Sequence, residues 1–594
     1  MSLPRPVAVL LLVAIFCVLP LSLAAQSSST TLAGSARDLA GLWQAKLRFG
    51  PDMHGPLLIY KEGAAWRAEI AGREADAQLS ADTLTFALPD DMGKFRGRFL
   101  SQHQGILGHW NGSPVTLTRV GKADVWRGNV SPIAWDFTWY LKVEPRADGS
   151  MRAFLKNPER NQGYFMDIAS LERNGKTVRL LGPARGGKPA EVQAEGTLDE
   201  EGTLSMPLRG GTYDFQRVAD GAASDFYPRS HPNVGASYHY QEPPQLDDGW
   251  PVATPEEVGL SRDALERFVR WIIDTPIDSV SVLETHAVLI ARHGKLVLEE
   301  YFHGENRDKP HDSRSASKSL VSVLLGAAIQ SGVREPGGAP LSAQSHVYQV
   351  INGGKYPAGL DARKQRMTLA HLLTMSSGLD ADDSKDDSPG NEDKIQEGND
   401  PNWWRITLNL NMVREPGEKA IYASMQPNLV GAVIRAAAQR STVDLYHDLV
   451  FEPMQIRQYW LATMANGETY NGGGTRLLDR DFLKFPQMIM NGGTWNGRRV
   501  VSEEWAKQSI ARQTSIGIHV ISGYGYLWWL ADFPYQGKTI TAFYAAGNGG
   551  QIIMGIPALD LVFAHFGGNY QDDVMFQVQR KMIPQWVLPT VVSK

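Results

Sequence analysis

A serine and a lysine three positions apart, Ser315 and Lys318, are the part of this sequence best suited to covalent chemistry. The apolar run 320–329 follows them and predicts a buried helix. A serine in the first turn of such a helix lies near unpaired backbone N–H groups and the positive end of the helix dipole. Lys318 returns to the same face one turn later, where its partly desolvated amine can take the serine proton. The four residues alone fit a capping serine and a surface lysine better, so the interpretation needs further support.

Two later segments supply groups that such a nucleophile needs. Tyr422 follows a Pro-Gly turn and precedes the apolar run 429–434, which places its phenol on a loop at the start of a helix. A phenol near a lysine can hold or relay a proton between nucleophile and leaving group. The segment 543–551 is rich in alanine and glycine and leads into two β-rich runs, 552–556 and 561–566. Its small residues allow a strand backbone to approach a bound substrate closely.

In this order, the three segments resemble the motifs of the serine β-lactamase and penicillin-binding-protein superfamily. The branch they resemble contains class C β-lactamases, family VIII carboxylesterases, D-aminopeptidases and 6-aminohexanoate-oligomer hydrolases. Segments 368–379, 472–485 and 524–529 are also similar to stretches of that branch. The resemblance covers about residues 245 to 590 and implies an α+β fold. In this sandwich an antiparallel sheet carries helices on its faces, and the Ser315 helix is central.

The resemblance also implies a mechanism through a covalent acyl-enzyme. Ser315 is expected to attack an ester or amide carbonyl, while Lys318 and Tyr422 share its proton; which of the two is the base stays open. The oxyanion is expected to bind the backbone N–H groups of Ser315 and Asn548. Ser424 and Gly547 are the expected substrate-binding residues. No cofactor or metal is required, and the sequence contains neither a His-Glu-x-x-His motif nor a cluster of histidines and carboxylates.

Two departures from the family pattern bear on the substrate. Residues 422–424 read Tyr-Ala-Ser where the family usually has Tyr-x-Asn. Residues 545–547 read Ala-Ala-Gly where lactamases have Lys-Thr-Gly, so the cation and the hydroxyl that grip a substrate carboxylate are missing. We therefore expect esters of small carboxylic acids as substrates. The alternatives are a β-lactamase, an amidase or peptidase acting on D-amino-acid or oligoamide substrates, and a catalytically silent binding protein with this fold.

Composition sets limits on size and partners. The 594 residues are too many for one core, so at least two domains are expected. The formal charge of -5 is small for this length. It gives no electrostatic reason to expect nucleic acid or an anionic membrane as a partner. The expected partner is a small-molecule ester or amide.

The N-terminus has the pattern of a secretory signal peptide over residues 1–25. Arg5 precedes an apolar run from Val7 to Leu23 that Pro20 interrupts, and small residues follow. Cys17 is the only cysteine and Phe16 precedes it, where a lipoprotein signal needs a small residue. The sequence thus predicts a periplasmic or secreted protein without a stable membrane anchor after cleavage; an uncleaved anchor is the alternative.

The rest of the chain divides into three parts by pattern. Residues 36–225 show short alternating strands, which predict an all-β domain of two related meanders, a lipocalin-like barrel or sandwich. Residues 226–250 contain proline pairs and are predicted as a linker. Residues 251–594 mix helices and strands and form the predicted catalytic domain. Within it, the acidic segment 380–400 is predicted as a solvated loop, with a rim of the active site as the alternative.

Overall fold

The computed structural model describes residues 35–592 except 50–52, 54, 71, 90–91, 112, 131–134, 187, 209–210, 465 and 518–521. The predicted signal peptide, residues 1–25, lies outside the described residues. No helix in the described part of the chain is long and apolar enough to cross a membrane.

The N-terminal region is all-β and consists of two closed antiparallel barrels of eight strands each. In chain order the strands are β1 (Gly41–Phe49), β2 (Gly55–Glu62), β3 (Ala65–Ile70), β4 (Arg73–Ser80), β5 (Thr83–Ala87), β6 (Lys94–Phe99), β7 (Gly105–Trp110), β8 (Ser113–Arg119), β9 (Val125–Val130), β10 (Trp135–Pro145), β11 (Met151–Lys156), β12 (Ser170–Asn174), β13 (Thr177–Leu181), β14 (Val192–Leu198), β15 (Leu204–Leu208) and β16 (Gly211–Arg217). Strands β2–β9 form the first barrel. Strand β1 joins β10–β16 in the second barrel, so the first barrel is inserted between two strands of the second.

Alternating side chains fill both barrels. In the first barrel Leu57, Trp110 and Trp126 are buried, and in the second Trp139 and Phe215 are. Inward-facing residues alternate with outward-facing ones along each strand, which is the period of two that the sequence shows. The alternating pattern therefore predicted the strands, and the structure has two barrels where the sequence left barrel and sandwich open.

Residues 226–250 pack against the C-terminal region along much of their length. Phe226 and Trp250 are fully buried. The Trp250 indole donates to the Arg480 carbonyl at 2.9 Å, and the Tyr240 hydroxyl donates to the Val297 carbonyl at 2.7 Å. Residues 226–250, predicted as a linker, thus attach the barrel region to the C-terminal core.

The C-terminal region contains a seven-stranded antiparallel sheet in the order β18-β17-β28-β27-β26-β25-β24. Its strands and the shorter ones beside it are β17 (Thr285–Arg292), β18 (Lys295–Tyr301), β19 (His311–Asp312), β20 (Tyr459–Trp460), β21 (Arg476–Leu477), β22 (Thr494–Trp495), β23 (Arg498–Arg499), β24 (Gly523–Tyr524), β25 (Trp529–Tyr535), β26 (Lys538–Gly547), β27 (Gln551–Ile556) and β28 (Leu561–Gly567). The helices are α1 (Arg262–Ile273), α2 (Lys318–Gln330), α3 (Val347–Ile351), α4 (Ala362–Arg366), α5 (Leu369–Leu373), α6 (Glu392–Gln396), α7 (Trp403–Asn409), α8 (Gln426–Ala438), α9 (Thr442–Tyr446), α10 (Asp479–Met490) and α11 (Glu503–Ser509). This combination of sheet and helices agrees with the expected α+β class.

Helix α2 is the buried helix that the apolar run predicts. Residues 318–328 are all buried, because α2 packs against α8 and its Ser319 hydroxyl donates to the Leu527 carbonyl at 2.6 Å. Ser261 caps α1 by accepting from the Ala264 N–H at 3.2 Å. Helix α2, which follows the candidate nucleophile, is therefore enclosed by protein over most of its length, and only Ile329 and Gln330 at its end are less buried.

A buried ion pair joins the second barrel to the C-terminal sheet. Lys156 at the end of β11 lies 2.6 Å from the Glu284 carboxylate, and the two side chains are 1% and 0% exposed. Beside them the Pro158 carbonyl contacts His286 Nε2 at 2.9 Å, and the Asn161 amide donates to the Val280 carbonyl at 2.7 Å. A charge that is buried away from water is stabilised by an opposite charge close to it. This contact therefore fixes the second barrel in one position against the sheet.

Replacing Lys156 with Met should lower the free energy of unfolding by about 3–5 kcal/mol, because it leaves the Glu284 carboxylate buried without its cation. Urea denaturation measures this change. Lys176→Met is the matched control, since Lys176 pairs with Glu200 at 2.9 Å with both side chains mostly exposed, 62% and 86%. That variant should change stability by less than about 1 kcal/mol. Equal losses in the two variants would show that the buried pair has no special role.

Candidate active site

Ser315 lies in a turn of 3-10 helix, Arg314–Ser317, that leads directly into α2. The buried Ser313 hydroxyl donates to the Thr475 carbonyl at 2.7 Å and holds the start of this turn. Lys318 Nζ donates to Ser315 Oγ at 2.8 Å. The structure therefore brings together the two residues that the spacing relates, and it does so within one helical turn.

The Lys318 side chain is 2% exposed, so its amine depends on contacts with protein groups. Besides Ser315, its amine donates to the Gly472 carbonyl, in the glycine-rich stretch noted in the sequence. Its Nζ also lies over the Tyr422 ring, 5.0 Å from the ring centroid. An ammonium over an aromatic face gains an electrostatic attraction that increases as water is excluded.

The packing of its ring fixes the position of Tyr422. The ring stacks on Trp529 of β25 with centroids 5.8 Å apart and an interplanar angle of 21°. The ring thereby closes one side of the lysine, and the hydroxyl projects from a fixed plane. The predicted proton-relay role needs the hydroxyl to reach a substrate leaving group, and it stays a prediction.

The end of β26 packs directly on the nucleophile turn. A Cβ at Gly547 would lie 2.2 Å from the Ser313 carbonyl oxygen and 3.1 Å from the Ala316 nitrogen, so only glycine fits there. Asn548 follows, and its side chain accepts a hydrogen bond from the Gln571 N–H at 2.7 Å. Within the described part of the chain, the backbone N–H groups of Ser315 and Asn548 donate no hydrogen bond. Neither group has a hydrogen-bond acceptor among the described residues, and their role as oxyanion donors stays a prediction.

Ser424, the predicted substrate-binding serine, is buried, and its backbone N–H donates to Asp383 Oδ2 at 2.6 Å. Burial raises the pKa of Asp383, and the hydrogen bond from Ser424 and the nearby Lys318 charge oppose that rise. Asp383 belongs to the acidic segment 380–400, whose residues 384–387 are exposed. The solvated-loop interpretation is therefore wrong for Asp383, and the rim alternative fits it.

Asp383 is the residue that sequence reasoning missed. Its type gave no signal, because the segment around it contains many acidic residues. Its position between two motif segments was the available signal. A second acidic residue of the same segment, Glu392, accepts a hydrogen bond from the Tyr470 hydroxyl close to Gly472. The acidic segment thus borders the site on the Lys318 side.

His311 and His371 form hydrogen bonds within the framework. His311 Nε2 lies 2.8 Å from His286 Nδ1, and His311 Nδ1 lies 3.2 Å from the Asp312 carbonyl oxygen. His371 accepts from the Thr368 N–H at 3.1 Å in a capping box. The His286–His311 pair connects the second barrel's Pro158 carbonyl to the strand that precedes Ser315.

Comparison with known proteins shows that residues 282–566 match the family model described as Beta-lactamase. The resemblance to this superfamily is confirmed. No curated protein matches the chain.

The chain is also similar to three solved structures among others. A candidate 6-aminohexanoate-dimer hydrolase from Bacillus anthracis shares 16% identity, covers 62% of this chain and 97% of its own, and has a TM-score of 0.42. A family VIII carboxylesterase shares 15% identity over 55% of this chain and 94% of its own, with a TM-score of 0.41. A D-stereospecific amidohydrolase from Streptomyces shares 13% identity over 50% and 93%, with a TM-score of 0.38.

The buried His311 should make stability depend on pH. Burial, and then the neighbouring His286, lower the pKa of His311 to about 3. The unfolded chain binds this proton below its ordinary pKa of about 6.5, whereas the folded chain does not. Its contribution is therefore complete above about pH 6.5 and is lost as the pH falls towards 3, at about 1.4 kcal/mol per pH unit.

Urea denaturation at several pH values between 4 and 7 measures this slope. His311→Gln should show a shallower fall in the free energy of unfolding than the wild type. His293→Gln is the control, because His293 is about half exposed on a hairpin and its loss should leave the slope unchanged. Parallel slopes for wild type and His311→Gln would contradict a neutral buried His311.

Proposed function

We propose that this chain is an exported serine hydrolase that acts through a covalent acyl-enzyme on esters of small carboxylic acids. The observation that carries the proposal is the 2.8 Å hydrogen bond from the buried Lys318 amine to Ser315 Oγ. A buried amine in contact with a serine hydroxyl is suited to accept its proton when the hydroxyl attacks a carbonyl. Export rests on the sequence of residues 1–25 alone.

The proposed reaction has two halves. Ser315 Oγ attacks the ester carbonyl carbon, its proton passes to Lys318 or Tyr422, and the oxyanion binds the N–H groups of Ser315 and Asn548. The tetrahedral intermediate then breaks its bond to the alcohol oxygen, which takes the proton and leaves. Water attacks the acyl-enzyme with its proton going to the same pair, and the acid is released as Ser315 regains its proton. Fixed N–H donors at the place where charge develops favour both tetrahedral states.

Residues 545–547 favour esters over β-lactams as substrates. Ala545 is buried within the sheet and Ala546 is half-buried, and an alanine side chain offers neither a cation nor a hydroxyl to a substrate beside the strand. An ester needs no carboxylate grip at this strand, and an alcohol is a better leaving group than an amine. The amidase and β-lactamase alternatives therefore become outcomes of the substrate comparison below.

Ser315→Ala should reduce ester hydrolysis by about a thousandfold or more, because the residual rate comes from binding and the oxyanion donors alone. A fluorophosphonate probe should label the wild type and leave this variant unlabelled, while thermal unfolding changes little. Retention of more than a tenth of the activity would exclude Ser315 as nucleophile. A wild type that neither reacts with the probe nor hydrolyses any ester would instead support the silent binding protein.

The substrate class is tested by kcat/KM for p-nitrophenyl butyrate against nitrocefin on one preparation. The ester should be preferred by about one to two powers of ten, the value of one charge-assisted hydrogen bond that residues 545–547 cannot make. D-Amino-acid p-nitroanilides extend the comparison to amides. A nitrocefin value equal to the ester's would favour the β-lactamase alternative, and a higher anilide value would favour the amidase.

A further inference from the structure

The residue before the nucleophile, Arg314, has an unfavourable backbone conformation. Its φ of 48° lies in the left-handed region, where residues with a Cβ are uncommon. The turn is held from both sides, since the Arg314 N–H donates to Asp312 Oδ1 at 2.9 Å and its carbonyl accepts from Gly474 at 3.2 Å. Such conformations persist where the surroundings enforce them and concentrate at ligand sites. Glycine or asparagine would be easier to accommodate, so the arginine side chain needs a reason of its own.

The Arg314 guanidinium is oriented but retains its donors. It lies over the Tyr570 ring, 5.3 Å from the centroid, and the side chain is 40% exposed. Its Nη1 is 3.9 Å from Asp312 Oδ2, which is an ion-pair distance and too long for a hydrogen bond. Towards the residues that the structure describes, the guanidinium donates no hydrogen bond. A planar group with free N–H donors, fixed on an aromatic face, is preorganised for a carboxylate.

The nearest protein carboxylates are already engaged. Arg476 Nη2 lies 3.4 Å from Asp312 Oδ2. Burial would raise the pKa of Asp312, but the cations of Arg476, Arg314 and Arg160 lower it below its usual value. One carboxylate therefore lies among three guanidinium groups, of which Arg160 comes from the second barrel. Glu392, in the acidic segment, accepts a hydrogen bond from the Tyr470 hydroxyl.

Arg314 also lies beyond the end of β26, the strand that carries residues 545–547. A Cβ at Gly549 would lie 3.0 Å from Tyr570, and Asn548 binds the next residue, Gln571. The guanidinium stacked on Tyr570 is thus adjacent to the loop that carries Asn548, the expected oxyanion donor. Arg314 belongs to a different segment from residues 545–547, where lactamases have a lysine that this chain lacks. An anion bound there would belong to a substrate whose carbonyl is at Ser315.

We infer that Arg314 determines specificity for substrates that carry a carboxylate a few bonds from the scissile carbonyl, such as monoesters of short dicarboxylic acids. This inference rests on the proposed serine hydrolase function and narrows its substrate class.

The test compares two esters that differ in one group. Monomethyl glutarate and methyl pentanoate have the same chain, but the first ends in a carboxylate and the second in a methyl group. Their kcat/KM values are measured with a pH-stat for the wild type, Arg314→Gln and Arg314→Lys. The wild type should prefer the glutarate ester. Arg314→Gln should reduce the ratio of the two values by about ten- to a hundredfold, and Arg314→Lys by less, because lysine keeps the charge without the planar fork.

Two further variants exclude general effects. Arg314→Asn suits the left-handed backbone, so it should unfold at or above the wild-type temperature while losing the glutarate preference. Arg498→Gln removes an exposed arginine that pairs with Glu452 at another surface and should leave the ratio unchanged. A preference that Arg314→Gln leaves intact, or that Arg498→Gln lowers equally, would overturn the inference.

Fluorophosphonate labelling separates this result from the proposed function. Wild type that is labelled at Ser315 and hydrolyses methyl pentanoate as well as monomethyl glutarate would overturn only the role of Arg314. Wild type that is not labelled and hydrolyses neither ester would overturn the hydrolase itself, and the inference with it.

Discussion

The C-terminal region is organised around one buried polar group, the amine of Lys318. A polar group without water destabilises the fold unless groups in fixed positions around it supply its contacts. Four different segments supply them: the Ser315 hydroxyl, the Gly472 carbonyl, the face of Tyr422 and the nearby carboxylate of Asp383. Apart from Ser315, which lies one helical turn before Lys318, the segments that carry these groups are distant in sequence from it. Their convergence on one amine explains why several separate motifs are needed to build the site.

The same physical constraint operates where the second barrel meets the sheet. Lys156 and Glu284 are buried together, and the neighbouring carbonyl of Pro158 meets the His286–His311 pair. His311 in turn contacts Asp312, whose carboxylate holds the backbone of Arg314. A continuous set of polar contacts therefore runs from the barrel to the residue before Ser315. The barrel is part of the framework that orients the nucleophile turn.

Features set by short-range pattern were predictable from the sequence, and features set by distant pairing were not. The apolar run after Lys318 predicted α2, and alternation predicted the barrel strands, because each depends on neighbouring residues. The contact of Asp383 with Ser424 depends on two loops that meet only in the fold. The packing of Trp250 on Arg480 is equally remote in sequence, so proline pairs suggested a linker where the chain is buried. The left-handed Arg314 has no local sequence signature at all.

The insertion of one barrel within the other has a consequence for synthesis on the ribosome. Strand β1 emerges early, but Gly41 pairs with Val143 and Trp43 with Arg217, so its partners are made much later. At typical elongation rates of about 5–20 residues per second, β1 waits about 5–20 seconds for its first partner and longer for its second. During that interval the first barrel has all its strands and can close, while β1 presents an unpaired edge. The nested order therefore exposes this edge to premature pairing with another nascent chain. A chaperone that binds β1 until β16 is complete would prevent such pairing.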